Sequence, residues 1–322
     1  MKWSLRNSHY LRQKESLMSR ILVTGGAGFI GSHLVKKLVE QGHEVVVADV
    51  LLRGNKIEKE ILPHIEFHKT DVKDLDAMHK LSKGCSLIYH FAAILGVDVV
   101  ADNPVETMDC EVIGMQNVVE AALTHGVEKV IYASTSGIYG HSAIEKSATE
   151  TITVDPRTSY AMAKRYNEIY LASNYAEKGL NSIALRFFNV YGKHQDNRMV
   201  VPRFYEQATN NEAITVFGNG KQTRDFTYID DTIFSCTELA EKITGCEIFN
   251  IANENETTIF DLANEIISIT GSKSRIDYIE APKKRYDYEM ERRCGNSSKL
   301  YNAIGYKPHT PLREGLMKTF KN

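Results

Sequence analysis

Apolar residues in the first half of the chain fall into short runs that alternate with amphipathic stretches. The runs at 20–24, 44–49, 65–67, 87–91 and 129–134 read as strands, and the stretches at 29–41, 74–82, 104–125 and 158–178 read as helices. The strand runs are apolar at successive positions, as in Val45-Val46-Val47-Ala48, which marks strands covered on both faces. Regular alternation of this kind predicts βαβ units, a parallel sheet, and right-handed crossovers that place helices on both sides. Further strands are predicted at 182–186 and 247–251. After Arg186 the texture changes to loops rich in Gly, Asn, Lys and Arg, such as 192–198 and 218–224, with short helices predicted at 201–209, 230–244, 258–270 and 312–320.

Composition narrows the picture in three ways. A chain of 322 residues can bury a large core in one or two domains. With 43% hydrophobic and 25% charged residues and a net charge of −2, nothing points to nucleic-acid binding. No apolar stretch approaches the roughly 20 residues of a membrane helix. The five cysteines, at 85, 110, 236, 246 and 294, have no metal-ligand spacing and read as reduced thiols of a cytoplasmic protein; no metal is expected. Residues 1–19 are polar and basic without an apolar centre, so they read as an extension outside the fold rather than a signal peptide.

The candidate chemistry begins where the first strand ends, in Thr24-Gly25-Gly26-Ala27-Gly28-Phe29-Ile30-Gly31. Glycines at this point allow a tight turn and close backbone approach to a pyrophosphate, and the following helix offers its N-terminal N–H groups to the anion. The second strand ends on Asp49, about 20 residues further on, where a ribose 2′-hydroxyl would be held. A purely structural turn shares the glycines; strand, helix and Asp49 together make it a dinucleotide site.

Tyr160-Ala-Met-Ala-Lys164 puts a phenol and an ammonium on one face of a predicted helix. A neighbouring cation favours phenolate, so Lys164 is expected to lower the pKa of Tyr160. Ser134-Thr135-Ser136-Gly137 follows a strand, at the sheet end where such folds bind ligands. Thr135 or Ser136 could donate to a substrate oxygen there; a serine-rich turn satisfying its own backbone is the other reading.

Taken together, these segments resemble the extended short-chain dehydrogenase/reductase family, and within it the nucleotide-sugar epimerases and dehydratases. The likeness runs from about Arg20 to Lys318 and includes Thr70-Asp71-Val72, His90-Phe91-Ala92-Ala93, Leu185 to Gly192, and Arg224 to Asp231. It implies an α/β fold: a Rossmann-type doubly wound parallel sheet with a smaller interleaved α/β substrate domain. The division would be an NAD-binding part at 20–186 with a return strand near 247–251, and a mainly substrate-binding part at 187–322. The resemblance implies NAD held by Gly25, Gly28, Phe29, Ile30, Gly31, Asp49, Asp71, Val72, Phe91, Ala92, Ala93, Tyr160, Lys164 and Phe188. It implies catalysis by Thr135, Tyr160 and Lys164, and a nucleotide-diphosphate sugar held by Thr135, Ser136, Asn189, Arg224 and Arg285. It also implies a homodimer through the helices at 104–125 and 158–178.

Three departures from the family pattern stand out. Glu111 replaces a frequent Asn, Lys193 follows Gly192 where relatives often have Pro, and Ser136-Gly137 replace the acids that dehydratases and decarboxylases carry after the catalytic Thr. The last favours epimerisation, most simply at C4 through a transient 4-keto sugar. A keto-sugar reductase, a dehydratase or decarboxylase, and a silent NAD-binding regulator are the alternatives. Asp49 disfavours the reductase by repelling an NADPH 2′-phosphate.

Overall fold

The computed structural model describes residues 18–94, 97–280 and 290–321. In chain order, β1 (Arg20–Thr24), α1 (Phe29–Glu40), β2 (Glu44–Asp49), β3 (Ile65–Lys69), α2 (Leu75–Ser82), β4 (Leu87–His90), α3 (Val97–Asp102), α4 (Pro104–His125), β5 (Lys129–Thr135), α5 (Ser159–Lys178) and β6 (Asn181–Phe187) make the first half. The second half contains β7 (Asn189–Tyr191), α6 (Val200–Thr209), β8 (Ile214–Phe217), β9 (Thr223–Tyr228), α7 (Ile229–Lys242), β10 (Cys246–Ile251), β11 (Glu256–Thr258), α8 (Ile259–Thr270), β12 (Ile276–Ile279), β13 (Arg292–Arg293), α9 (Ser298–Ile304) and α10 (Leu312–Phe320).

Seven strands form one parallel sheet in the order β10-β6-β5-β4-β1-β2-β3. Strand side chains alternate between its two covered faces, which explains the unbroken apolar runs. Ile21, Val23, Val45 and Val47 point to the side packed by Leu34, Val35 and Leu38 of α1 and by Ile233, Cys236 and Leu239 of α7. Leu22, Val46, Ile88 and Val130 point to the other side, against Met78 of α2, Met115, Val118 and Ala122 of α4, and Leu171 of α5. The parallel sheet covered on both sides that the pattern predicts, and the Rossmann-type arrangement that the resemblance implies, are therefore present. Strand β10 returns to the sheet edge, 64 positions beyond its partner β6 by the pairing Cys246↔Ser182.

The strand order reverses between β1 and β4, and a crevice opens beyond their carboxyl ends. Helix α5 starts on Thr158, whose hydroxyl accepts from Ala161 N at 3.0 Å, and stops on Gly179 at φ 75°. The small strands β11, β9, β13 and β7 form a separate sheet, and β12 pairs with β8. None of β7, β8, β9, β11, β12 or β13 was expected from the sequence. They are two to six residues long, too short for an alternating pattern to stand out. Helices α3 and α9 were likewise not expected.

Candidate active site

Gly25 has φ +70°, and an added Cβ there would lie 2.5 Å from Ala92 N. At Gly31 a Cβ would lie 2.2 Å from the Gly25 carbonyl oxygen. The first contact presses the turn against the segment after β4 and the second presses the start of α1 against the turn, and only glycine permits them. Gly28 occupies the helix N-cap with no side chain capping it, so the first-turn N–H groups face the crevice. A dinucleotide pyrophosphate fits this cradle.

The crevice is a cleft of about 600 Å³. Gly25, Gly28, Phe29, Ile30, Gly31, Asp49, Asp71, Val72, Phe91, Ala92 and Ala93 line it together with Thr135, Ser136, Tyr160, Lys164, Phe188 and Asn189. Residues scattered over the first two-thirds of the chain thus meet in one place. Asp49 Oδ2 accepts from Ala27 N at 3.0 Å and Oδ1 from Leu51 N at 2.7 Å, which aims the carboxylate at the cleft. Burial raises its pKa against the pull of those two N–H groups. The carboxylate retains lone pairs for a ribose hydroxyl.

Two of the expected substrate contacts stand apart. Arg224 does not line the cleft; its guanidinium donates to the Thr223 and Met290 carbonyl oxygens at 2.7 and 2.8 Å. Arg285 lies outside the described residues. The structure instead brings Arg293 to the cleft, from β13 in register with Arg224 of β9. No described side chain pairs with Arg293, and burial, with the Arg224 charge beside it, lowers its pKa to about 10. A two-residue strand inside a charged stretch gave no sequence signal for this. Arg53, Cys110, Gln195 and Arg198 also line the cleft and went unnoticed, because they lie on loops or between motif residues.

Strand β5 runs one residue further than its pattern suggests, with Thr135 pairing in register with Phe187. Thr135 Oγ1 accepts from Gly137 N at 3.1 Å, which leaves its proton for an acceptor in the cleft. Behind Thr135 a buried ion pair ties three elements together. Glu168 of α5 binds Arg186 of β6 at 2.8 and 2.9 Å and accepts from Ser134 Oγ of β5 at 2.6 Å. Arg186 also donates to Tyr139 Oη at 2.9 Å.

Tyr160 corrects one expectation. Its phenol is pushed well above its ordinary value, first by burial and then by the Glu111 charge. Lys164 Nζ lies 5.3 Å from the Tyr160 ring centre and 3.0 Å from Glu111 Oε2, and both partners of that ion pair are fully buried. A carboxylate thus stands against the ammonium, and burial with the Glu111 charge sets the direction of the Tyr160 shift, opposite to the one expected from Lys164.

The family described as NAD dependent epimerase/dehydratase matches residues 21–252. The chain is 35% identical over 317 residues to UDP-N-acetyl-alpha-D-glucosaminuronate decarboxylase of Bacillus cytotoxicus, covering 95% of this chain and 98% of that one. The fold is similar to UDP-glucose 4-epimerase of Thermotoga maritima, solved with UDP-glucose, with a TM-score of 0.87 and 33% identity over 93% of this chain and 97% of that one. It is also similar to UDP-glucose 4-epimerase of Thermus thermophilus, solved with NAD, with a TM-score of 0.85 and 30% identity over 93% and 97% of the two chains.

Proposed function

The chain belongs to the NAD dependent epimerase/dehydratase family and uses NAD, and within that family we propose that it is a nucleotide-sugar epimerase acting at C4. The observation that carries this reading is the meeting of Thr135, Tyr160 and Lys164 in one cleft beside Ser136 and Gly137, two residues with no acid to offer. Oxidation at a sugar carbon needs only the first three. Elimination of water needs a further group to move protons at neighbouring carbons, and the loop after Thr135 supplies none.

In this reading Thr135 donates a hydrogen bond to the sugar C4 oxygen and Tyr160 accepts the hydroxyl proton. Lys164 and Asp49 hold the two ribose hydroxyl pairs, and the α1 N-terminus holds the pyrophosphate. NAD supplies a reversible hydride acceptor. Tyr160 returns its proton after the 4-keto sugar has turned its other face, so the cycle ends with no net redox change. Asn189, which lines the cleft, is assigned to the sugar nucleotide, and Arg285 to its diphosphate or nucleoside.

A second reading follows from Arg293. A cleft guanidinium with no described carboxylate partner suits an anionic sugar, because a guanidinium fork matches a carboxylate. On a uronate, oxidation at C4 gives a β-keto acid; loss of carbon dioxide leaves the C4–C5 enolate, which takes up a proton at C5 before hydride returns to C4. One experiment separates the readings. The purified protein is incubated with UDP-hexoses and UDP-uronates, and products are read by mass spectrometry and NMR. A product of equal mass inverted at C4, without accumulation of NADH, is expected. A product lighter by carbon dioxide moves the assignment to decarboxylation, and one lighter by water to dehydration.

We further propose a homodimer. Val105 and Ile113 of α4 and Met162, Tyr166 and Ile169 of α5 are exposed on a pair of helices that pack side by side, with Val105 at 72%. Such a face suits a two-fold related copy. Light scattering at micromolar concentration is expected to give twice the chain mass; a monomer rejects the proposal.

A further inference from the structure

Glu111 is fully buried on α4, and the catalytic reading above gives it no task. Its Oε2 lies 3.0 Å from Lys164 Nζ and accepts from Tyr132 Oη at 3.2 Å. Asn167, one turn beyond Lys164 on α5, donates to the Glu111 carbonyl oxygen at 3.0 Å and to Tyr132 Oη at 2.8 Å. The four side chains close the seam between α4, α5 and β5. A carboxylate without a partner would be very costly at this depth, so the ion pair is the reason it can be there.

The pair has an electrostatic consequence for Tyr160. Burial raises the Glu111 pKa against the pull of Lys164 and Tyr132; in its ionised form the carboxylate, 3.0 Å from Lys164 Nζ, offsets the ammonium. A net cation beside a phenol is what favours phenolate, and here it is offset. The groups packed around the Lys164–Glu111 pair do not replace it, and the cleft guanidinium without a described partner, Arg293, comes from β13 rather than from these elements. His90 of β4 is held neutral, its pKa lowered to about 3 by burial and then by Lys164. Tyr132 of β5 is a phenol that burial pushes up, and burial pushes the Cys110 thiol of α4 up to about 12. Beyond Cys110, on the loop after β3, Asp71 and Lys73 pair with each other at 3.6 Å.

We propose that Glu111 is a positioning residue that draws the Lys164 ammonium into the α4–α5 seam, offsets its charge and so raises the pH at which Tyr160 becomes a base. The inference rests on Tyr160 being the acid–base group. Its consequence is an acid limb in kcat/KM that lies further toward alkaline pH than an unopposed lysine would place it.

The test reads the phenol directly. The tyrosinate absorbance of the protein as purified is titrated toward alkaline pH, and the Tyr160→Phe spectrum is subtracted. In the wild type the Tyr160 step is expected at or above ~10, the value of an ordinary phenol. A step below ~8 overturns the proposal, whatever happens to any variant. Glu111→Gln keeps an acceptor for Tyr132 and leaves Lys164 as a net cation. In that variant the Tyr160 step and the acid limb of kcat/KM are both expected to fall by about one to three pH units. Glu111→Asp keeps the charge and is expected to keep the limb. A folded Glu111→Gln protein with the step unmoved also overturns the proposal. The absorbance arm needs no turnover, so a protein inactive on every sugar nucleotide would count against the functional reading alone.

Discussion

Tyr160→Phe is expected to lower kcat by about 10²–10⁴-fold, the usual loss when a positioned acid–base group is removed. The ring is kept, so its packing on α5 and against Lys164 survives, and only the hydroxyl is lost. NAD content and unfolding midpoint should stay at wild-type levels, because the contacts at Gly25, Gly31 and Asp49 are untouched. A rate near that of the wild type would remove Tyr160 from the mechanism. It would also favour a protein that binds NAD without turning over sugars.

Glu168→Gln is expected to cost about 3–5 kcal/mol of stability, the range for breaking a buried pair and leaving one charge uncompensated. Arg186, 1% exposed, would keep Tyr139 Oη and the Glu150 carbonyl oxygen but lose its counter-charge. The pair joins α5, which carries Tyr160 and Lys164, to β5, which carries Thr135, so activity should fall along with stability. The pH dependence has a definite sign. Burial alone would raise the Glu168 pKa, but the hydrogen bond and charge of Arg186, with Ser134 and Arg165, lower it below the ordinary value. A carboxylate with a lowered folded-state pKa stabilises the protein above its unfolded pKa, near ~4.3, and that contribution is lost as pH falls. Urea unfolding from neutral to acid pH should therefore show a shallower acid decline in Glu168→Gln than in the wild type. Equal slopes would show that the pair contributes nothing to acid stability.

The large sheet was legible because both of its faces are covered. Runs such as Val45-Val46-Val47-Ala48 can be satisfied only when each successive side chain meets a helix layer, and the two buried clusters divide along that alternation. The cofactor cradle was legible because its requirement is local. Gly31 is needed by contacts with Gly25 and Gly26, and Gly25 by its positive φ as well as by the approach of Phe91 and Ala92. Asp49 followed from its place at the end of β2.

What could not be read depends on partners distant in sequence. Arg293 faces the cleft because β13 lies in register with β9, across 69 positions from Arg224, and two residues carry no periodicity. Arg224 belongs to a recognisable segment, yet its guanidinium is occupied by the Thr223 and Met290 carbonyl oxygens. Ser134 and Glu168 meet across 34 positions, as no local pattern announces. The state of Tyr160 shows the division most clearly. One helix face sets Tyr160 beside Lys164, and that much is i to i+4 geometry written in the chain. Whether the lysine offers a net charge depends on Glu111, more than 50 residues earlier, whose carboxylate reaches Lys164 only after α4 and α5 pack together. Residue identity and local periodicity thus determined the large parallel sheet with its covering helices, and the glycines, Asp49 and the Tyr160–Lys164 pair of the site. Tertiary packing alone decided which charges oppose one another within it, because Coulomb interactions follow distance in space and burial, not distance along the chain.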